Sequence, residues 1–228
     1  MADAGSPTVG QLNSLHLEFR YRLRLEFDTI LNHFIFAEVC FEKGNAEFHR
    51  ALGDTAPTLN FLFESSFESL ALSVCRLWEA APKSGVGNEK LSLPVLVKFY
   101  AQYDYLGFRC LRANGKGKSI FDKVQYDALI PKLRVFRSEA LAHMLIVGKS
   151  RDRKRAGIGD PNGFGLANDD LMELAFQTLC LLKVMLDDLT LSNWDRGLSL
   201  ETRCRQVRDG VDVFLERLTA ANSGTSMT

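Results

Sequence analysis

Apolar residues recur every three or four positions along almost the whole chain, the spacing of one face of an α-helix. From Leu12 to Phe41 they fall at Leu12, Leu15, Phe19, Leu23, Phe27, Ile30 and Phe34. This pattern predicts one long helix, or two stacked ones, stopped by Lys43-Gly44-Asn45. Asn45–Leu52 adds a short helix before Gly53, and Thr58 starts a second long pattern through Leu59, Leu62, Phe63, Phe67, Leu70, Val74, Leu77 and Trp78. That pattern stops at Pro82, and the Gly-, Asn- and Ser-rich stretch Lys83–Lys90 reads as a loop. Ser92 is a good N-cap with Pro94 in the first turn, so Val95–Leu111 is expected to be helical. Ala113–Lys118 reads as a second loop, after which Ser119 or Asp122 opens a helical region to about Val147, with Pro131 kinking or restarting it.

After Gly148 the pattern is lost. Residues 148–167 form a basic, Gly-rich stretch, expected to be a loop. Asn168-Asp169-Asp170 then caps a strong helix to about Thr190, and Ser199 begins a last one to about Ala220. No strand-like alternation and no internal repeat is visible. The expectation is an all-α bundle of five to seven helices, long and antiparallel with short loops. It forms a single domain over residues 1–228, with flexible tails at 1–10 and 222–228.

Composition narrows the function classes. Hydrophobic residues are 46% and charged residues 25%, enough apolar material for a sizeable core. Lys plus Arg and Asp plus Glu are 28 each, which excludes a globally basic nucleic-acid coat but not a local patch. No apolar run reaches spanning length, and the N-terminus has neither the basic nor the apolar region of a secretory signal. Cys40, Cys75, Cys110, Cys180 and Cys204 are odd in number, widely spaced and free of Cys-x-x-Cys pairs. They are expected to be reduced thiols on helix faces, in a reducing compartment, most simply the cytoplasm.

Most sequence signals for chemistry fail on inspection. Gly117-Lys118-Ser119 and Gly148-Lys149-Ser150 resemble the end of a phosphate-binding loop, but the required first glycine is Arg112 in one case and His143 in the other. His16, His33 and His49 have no metal-type partner at i+3 or i+4, so neither a metal nor another cofactor is expected.

One cluster stands out: Leu133-Arg134-Val135-Phe136-Arg137-Ser138-Glu139-Ala140-Leu141-Ala142-His143. Arg137 is a permanent cation whose forked donors suit phosphate oxygens, and His143 can move a proton near neutral pH. These two functions are the minimum for RNA cleavage without a metal. Six residues at ~100° each put the two side chains ~120° apart around a helix. A site shared between two copies of the helix bridges that angle more naturally than one copy does. Glu139, at i−4 to His143, is in reach to orient the imidazole. Chance also puts an exposed Arg and a satisfied His on one helix at this spacing.

Arg137-Ser138-Glu139-Ala140-Leu141-Ala142-His143 resembles the Arg-x(4–6)-His motif of the HEPN superfamily, and within it the abortive-infection, AbiU-type branch. Ser69–Glu79 is similar to that branch's Ser-Arg-Leu-x-Asp segment, and Asn88–Leu96 to the Asn-Leu-Ser-Leu start of its following helix. The three stretches occur in the family's order. Ser138 and Glu139 stand where the branch has Asn and Lys, and Glu139 reverses a charge.

The resemblance implies a HEPN-like bundle that forms a homodimer and acts as a metal-independent endoribonuclease on RNA, in phage defence or a stress or toxin–antitoxin setting with a neutralising partner protein. Arg137 and His143 would be catalytic, Ser138 would orient the phosphate or the Arg, and Glu139 would support. Lys149, Arg151, Arg153, Lys154 and Arg155 would hold RNA backbone. The alternative is a non-catalytic helical module for dimerisation or for binding a nucleotide or partner.

Overall fold

The computed structural model describes residues 8–79, 92–102, 109–111, 115–125, 127–136, 168–188 and 200–224. Helix α1 runs Val9–Lys43, α2 Ala46–Leu52, α3 Ala56–Leu77, α4 Leu93–Gln102, α5 Lys116–Gln125, α6 Leu129–Phe136, α7 Asn168–Asp188 and α8 Leu200–Gly224. Six of these have ten residues or more, short 3₁₀ turns occupy Gly53–Thr55 and Arg109–Leu111, and no strand occurs among the described residues.

The 35-residue α1, about 50 Å long, is the spine. It is one helix and not two stacked ones. Its start is fixed by a capping box: Thr8 Oγ1 accepts from the Gln11 amide at 3.3 Å while the Gln11 side chain accepts from the Thr8 amide at 2.8 Å. The helix therefore begins inside the segment expected to be a flexible tail. At the other terminus α8 extends to Gly224, past the expected end at Ala220.

α3 returns antiparallel along α1. Arg76 pairs with Glu26, His33 bonds Ser66, and Phe41 packs edge-on to Phe63 and Phe67. The reversal is made at Gly53, whose φ of 47° lies in the left-handed region that only glycine adopts freely. α3 then starts two residues earlier than the apolar pattern indicates, with Pro57 in its first turn. α7 and α8 cover the other sides of the spine. Leu23, Phe27 and Ile30 of α1 meet Leu70, Val74 and Leu77 of α3, Leu93, Leu96 and Phe99 of α4, and Leu174, Leu181 and Leu182 of α7 in one buried cluster.

α8 runs parallel to α1. Arg203 bonds Asp28 at 2.5 Å, Arg208 bonds Glu38 at 2.7 Å and Glu42 at 2.6 Å, and Asp212 bonds Lys43 at 2.5 Å.

Two expectations between α4 and α6 are corrected. Within the stretch expected to be one helix over Val95–Leu111, α4 is described as far as Gln102 and a 3₁₀ turn occupies Arg109–Leu111; residues 103–108 lie outside the described residues. The loop expected over Ala113–Lys118 gives way at Lys116, where α5 already begins. Gly117, within the expected loop, is instead buried within the helix where α5 approaches Cys110. A Cβ there would lie 3.1 Å from the Cys110 carbonyl and 3.2 Å from its Sγ. Glycine serves close approach here rather than a turn.

Pro131 lies in the first turn of α6, so the region restarts instead of kinking. Asp127 sets the new start, its carboxylate accepting from the Leu129 amide at 2.8 Å and its carbonyl from the Ile130 amide at 3.2 Å.

Alanine is the better helix former by about 1 kcal/mol, but the contact with Cys110 backbone opposes it. Gly117→Ala is therefore expected to lower stability by a net ~1–2 kcal/mol, the cost of overpacking exceeding the propensity gain. Urea denaturation reads this as a lower midpoint; an unchanged or raised midpoint would refute the close-approach account.

Candidate functional site

α6 ends, as described, at Phe136, the residue before Arg137. Arg137, Ser138, Glu139 and His143 lie outside the described residues, as do Lys149, Arg151, Arg153, Lys154 and Arg155. The described structure supplies the platform that carries the chain to the motif.

That platform is built on Trp78 at the C-cap of α3. Its side chain is 1% exposed. The indole stacks on Phe121 of α5, with ring centroids 5.5 Å apart. Its Nε1–H donates to Thr178 Oγ1 of α7 at 3.0 Å, and the Thr178 hydroxyl donates in turn to the Leu174 carbonyl at 2.7 Å. Both roles of that buried hydroxyl are thus satisfied.

The Trp78 carbonyl, at the C-terminal end of α3, accepts from the Arg134 guanidinium of α6 at 2.8 Å. Carbonyls at a helix C-terminus lack intrahelical donors and carry partial negative charge, so a cation is favoured there. The Cys75 thiol makes a second, weaker tie to the Leu133 carbonyl at 3.7 Å. α6 is therefore fixed to the end of α3 through the Arg134 guanidinium and the Leu133 carbonyl, three and four residues before Arg137.

The sequence reading missed Arg134, Thr178 and Phe121 as supports. A backbone acceptor leaves no residue-type signature, and the Trp78–Thr178 bond spans a hundred positions. The only available signal was a tryptophan ending an apolar stripe, since a buried indole needs an acceptor.

The two stretches similar to the AbiU-type branch are placed as follows. In Ser69–Glu79, Ser73, Val74, Cys75, Leu77 and Trp78 are buried, and Arg76 turns outward to Glu26 at 2.9 Å. In Asn88–Leu96, Ser92 is buried at the start of α4, its Oγ accepting from the Val95 amide at 3.4 Å; residues 88–91 lie outside the described residues.

Two of the three histidines of the first third, His16 and His33, are locally satisfied. His16 Nδ1 lies 2.6 Å from the Tyr100 hydroxyl and His33 Nδ1 2.8 Å from Ser66 Oγ. Burial holds both below the usual histidine range, with Arg20 adding to the effect at His16. Burial pushes the Cys40 thiol up to about 11 and raises Cys180 and Cys204, disfavouring the nucleophilic thiolate. Among the described residues no three His, Cys, Asp or Glu side chains gather as metal ligands, and no helix is long and apolar enough to cross a membrane.

Residues 8–198 match the HEPN AbiU2 family, a span of well over half the chain. The chain belongs to the HEPN AbiU2 family. The all-α architecture is a HEPN-type helical bundle, and the Trp78 platform lies inside the matched span. No curated protein and no solved structure matches.

Thr178→Val keeps the shape of the side chain but leaves the indole N–H buried without its acceptor. The expected cost is ~1–3 kcal/mol, the desolvation penalty of an unpaired donor. It should appear as a lower chemical-denaturation midpoint with an unchanged slope. A midpoint equal to that of the wild type would show that the bond does not hold the platform together.

Proposed function

We propose that this protein is a metal-independent endoribonuclease of HEPN type, acting in phage defence or a stress or toxin–antitoxin setting, with its site shared across a homodimer. Arg137 holds the scissile phosphate through its forked donors and meets the charge that develops on the phosphorane. His143 takes the 2′-hydroxyl proton and returns a proton to the leaving oxygen. Ser138 orients the phosphate or the Arg, and Glu139 orients the imidazole. Lys149, Arg151, Arg153, Lys154 and Arg155 track RNA backbone, and a partner protein neutralises the activity.

The observation that carries this reading is the family match, whose span of residues 8–198 includes the positions of Arg137 and His143. The anchoring of α6 immediately before Arg137 adds support, because an electrostatic site works through preorganisation.

Glu139 favours a second reading. It puts a carboxylate where the branch carries Lys, beside the phosphate position, as suits a non-catalytic module that dimerises or binds a nucleotide or partner.

Purified protein incubated with single-stranded RNA in EDTA is expected to cleave it, to leave DNA intact, and to yield 2′,3′-cyclic phosphate ends. His143→Ala and Arg137→Ala should each lower the rate by about 10²–10³ or more. Cleavage that persists in the double variant, or that stops on adding EDTA, would sink the mechanism. No cleavage by the wild type, with activity gained on Glu139→Lys, would favour the second reading.

For the basic stretch, binding is measured in the His143→Ala background so that RNA survives. Neutralising Arg151, Arg153 and Arg155 is expected to weaken binding and to flatten its salt dependence by about one counterion per lost phosphate contact. An unchanged slope would reject the stretch as a backbone contact.

A further inference from the structure

The last helix, α8, lies beyond the family-matched span, which ends at residue 198. Its two faces differ sharply. The inner face carries Arg203, Arg208 and Asp212 to their partners on α1 and buries Leu215. On the outward face Gln206, Gly210, Val213, Phe214, Arg217 and Ala221 recur at helical spacing and are exposed. Val213 and Phe214 keep 45% and 39% of their surface in water, and a Cβ at Gly210 would meet nothing within 4 Å. Beside this stripe Asp209 is also exposed, and neither Asp209 nor Arg217 makes an ion pair among the described residues.

The order of these residues is self-complementary. In an antiparallel pair of α8 helices related by a two-fold axis between Val213 and Phe214, Val213 of each copy faces Phe214 of the other. Arg217 then faces Gly210, and Gln206 faces Ala221. The longest side chain meets the residue with no side chain, so its stem has room to cross. Its guanidinium comes level with Asp209 of the opposite copy. Both halves repeat the same contacts, as an isologous interface requires. A helix interior glycine costs about 1 kcal/mol against alanine, and among the described residues nothing uses the space it leaves.

We infer that the outward face of α8 is a docking surface for a second copy of this chain, joined antiparallel through Val213, Phe214 and Gly210 with reciprocal Asp209–Arg217 ion pairs. The charge pairing selects the occupant: a complementary acid and base at symmetric positions match this helix to itself. The inference stands on α8 and does not depend on ribonuclease activity.

The full chain is examined by sedimentation velocity over a micromolar concentration series. Wild type is expected to dimerise. Asp209→Arg brings four arginines to the seam and Arg217→Asp four aspartates, so each is expected to weaken dimerisation about tenfold or more. Asp209→Arg with Arg217→Asp restores opposite charges in reversed order and should return affinity to near wild type. Gly210→Leu fills the gap under Arg217 and should weaken the dimer as well. All three positions are exposed, and circular dichroism checks that each variant is folded. A dimer indifferent to the single charge reversals, or one that the double reversal fails to rescue, would overturn the α8 surface while leaving a shared catalytic site open. A strict monomer would overturn both.

Discussion

A buried indole must place one N–H, and that requirement organises the centre of this bundle. Trp78 sits where α3 ends, at 1% exposure, so water cannot serve its donor. Thr178 of α7 takes the bond and is itself satisfied by the Leu174 carbonyl, which leaves no polar atom of the pair unpaired. With Phe121 of α5 stacked on the ring and Arg134 of α6 on the Trp78 carbonyl, one residue ties four helices together. The direct bonds are individually worth about 1 kcal/mol, but an unmet donor costs more, so the arrangement specifies one packing more strongly than its sum suggests.

The outer layer follows a different rule. α8 buries only Leu215 fully among its described residues, with Cys204, Val207, Val211 and Leu218 half-buried beside it, a thin apolar stripe that leaves much of the register along α1 to polar contacts. Its register is set by charge. Asp28, Glu38, Glu42 and Lys43 on α1 meet Arg203, Arg208 and Asp212 in the same order along both helices. Arg208 spans two carboxylates one turn apart and holds Glu42 below the usual carboxylate range. Partly exposed pairs add about 0–1 kcal/mol each, so this network fixes position more than stability.

Much of the helical framework was legible because a helix that buries one stripe must repeat it. α1, α3, α7 and α8 each follow such a stripe, and their positions could be read to within a few residues. The errors fell where one residue type serves two physical purposes. Glycine at 117 signals a turn in sequence, but in the structure it permits Cys110 to approach a helix. Proline at 131 is compatible with a kink or a start, and Asp127 decides for the start through its bonds to the following amides. For the candidate site, Arg137 and His143 could be proposed from sequence because their side chains carry the chemistry. Arg134 and Thr178 were not, because their partners are a carbonyl and a ring N–H far away in sequence.

The proposed shared site and the proposed α8 seam impose a joint geometric condition. On a continuous helix Arg137 and His143 would stand ~120° apart, and the proposed site then calls for a second copy to complete one constellation. An α8–α8 seam supplies a second copy about an axis through Val213 and Phe214. A two-chain assembly has a single two-fold, so if one dimer serves both, that axis must also pass close to the motif. α8 and α6 are both tied to the bundle, α8 through α1 and α6 through α3, and α3 itself lies along α1. The axis at α8 therefore fixes where the partner's motif falls. A distance constraint between the two copies of the motif, in protein whose α8 pairing is intact, separates one dimer from two interfaces. A close approach means that α8 aligns the catalytic halves. A wide separation means that α8 joins pairs already formed elsewhere, and the assembly is larger than a dimer.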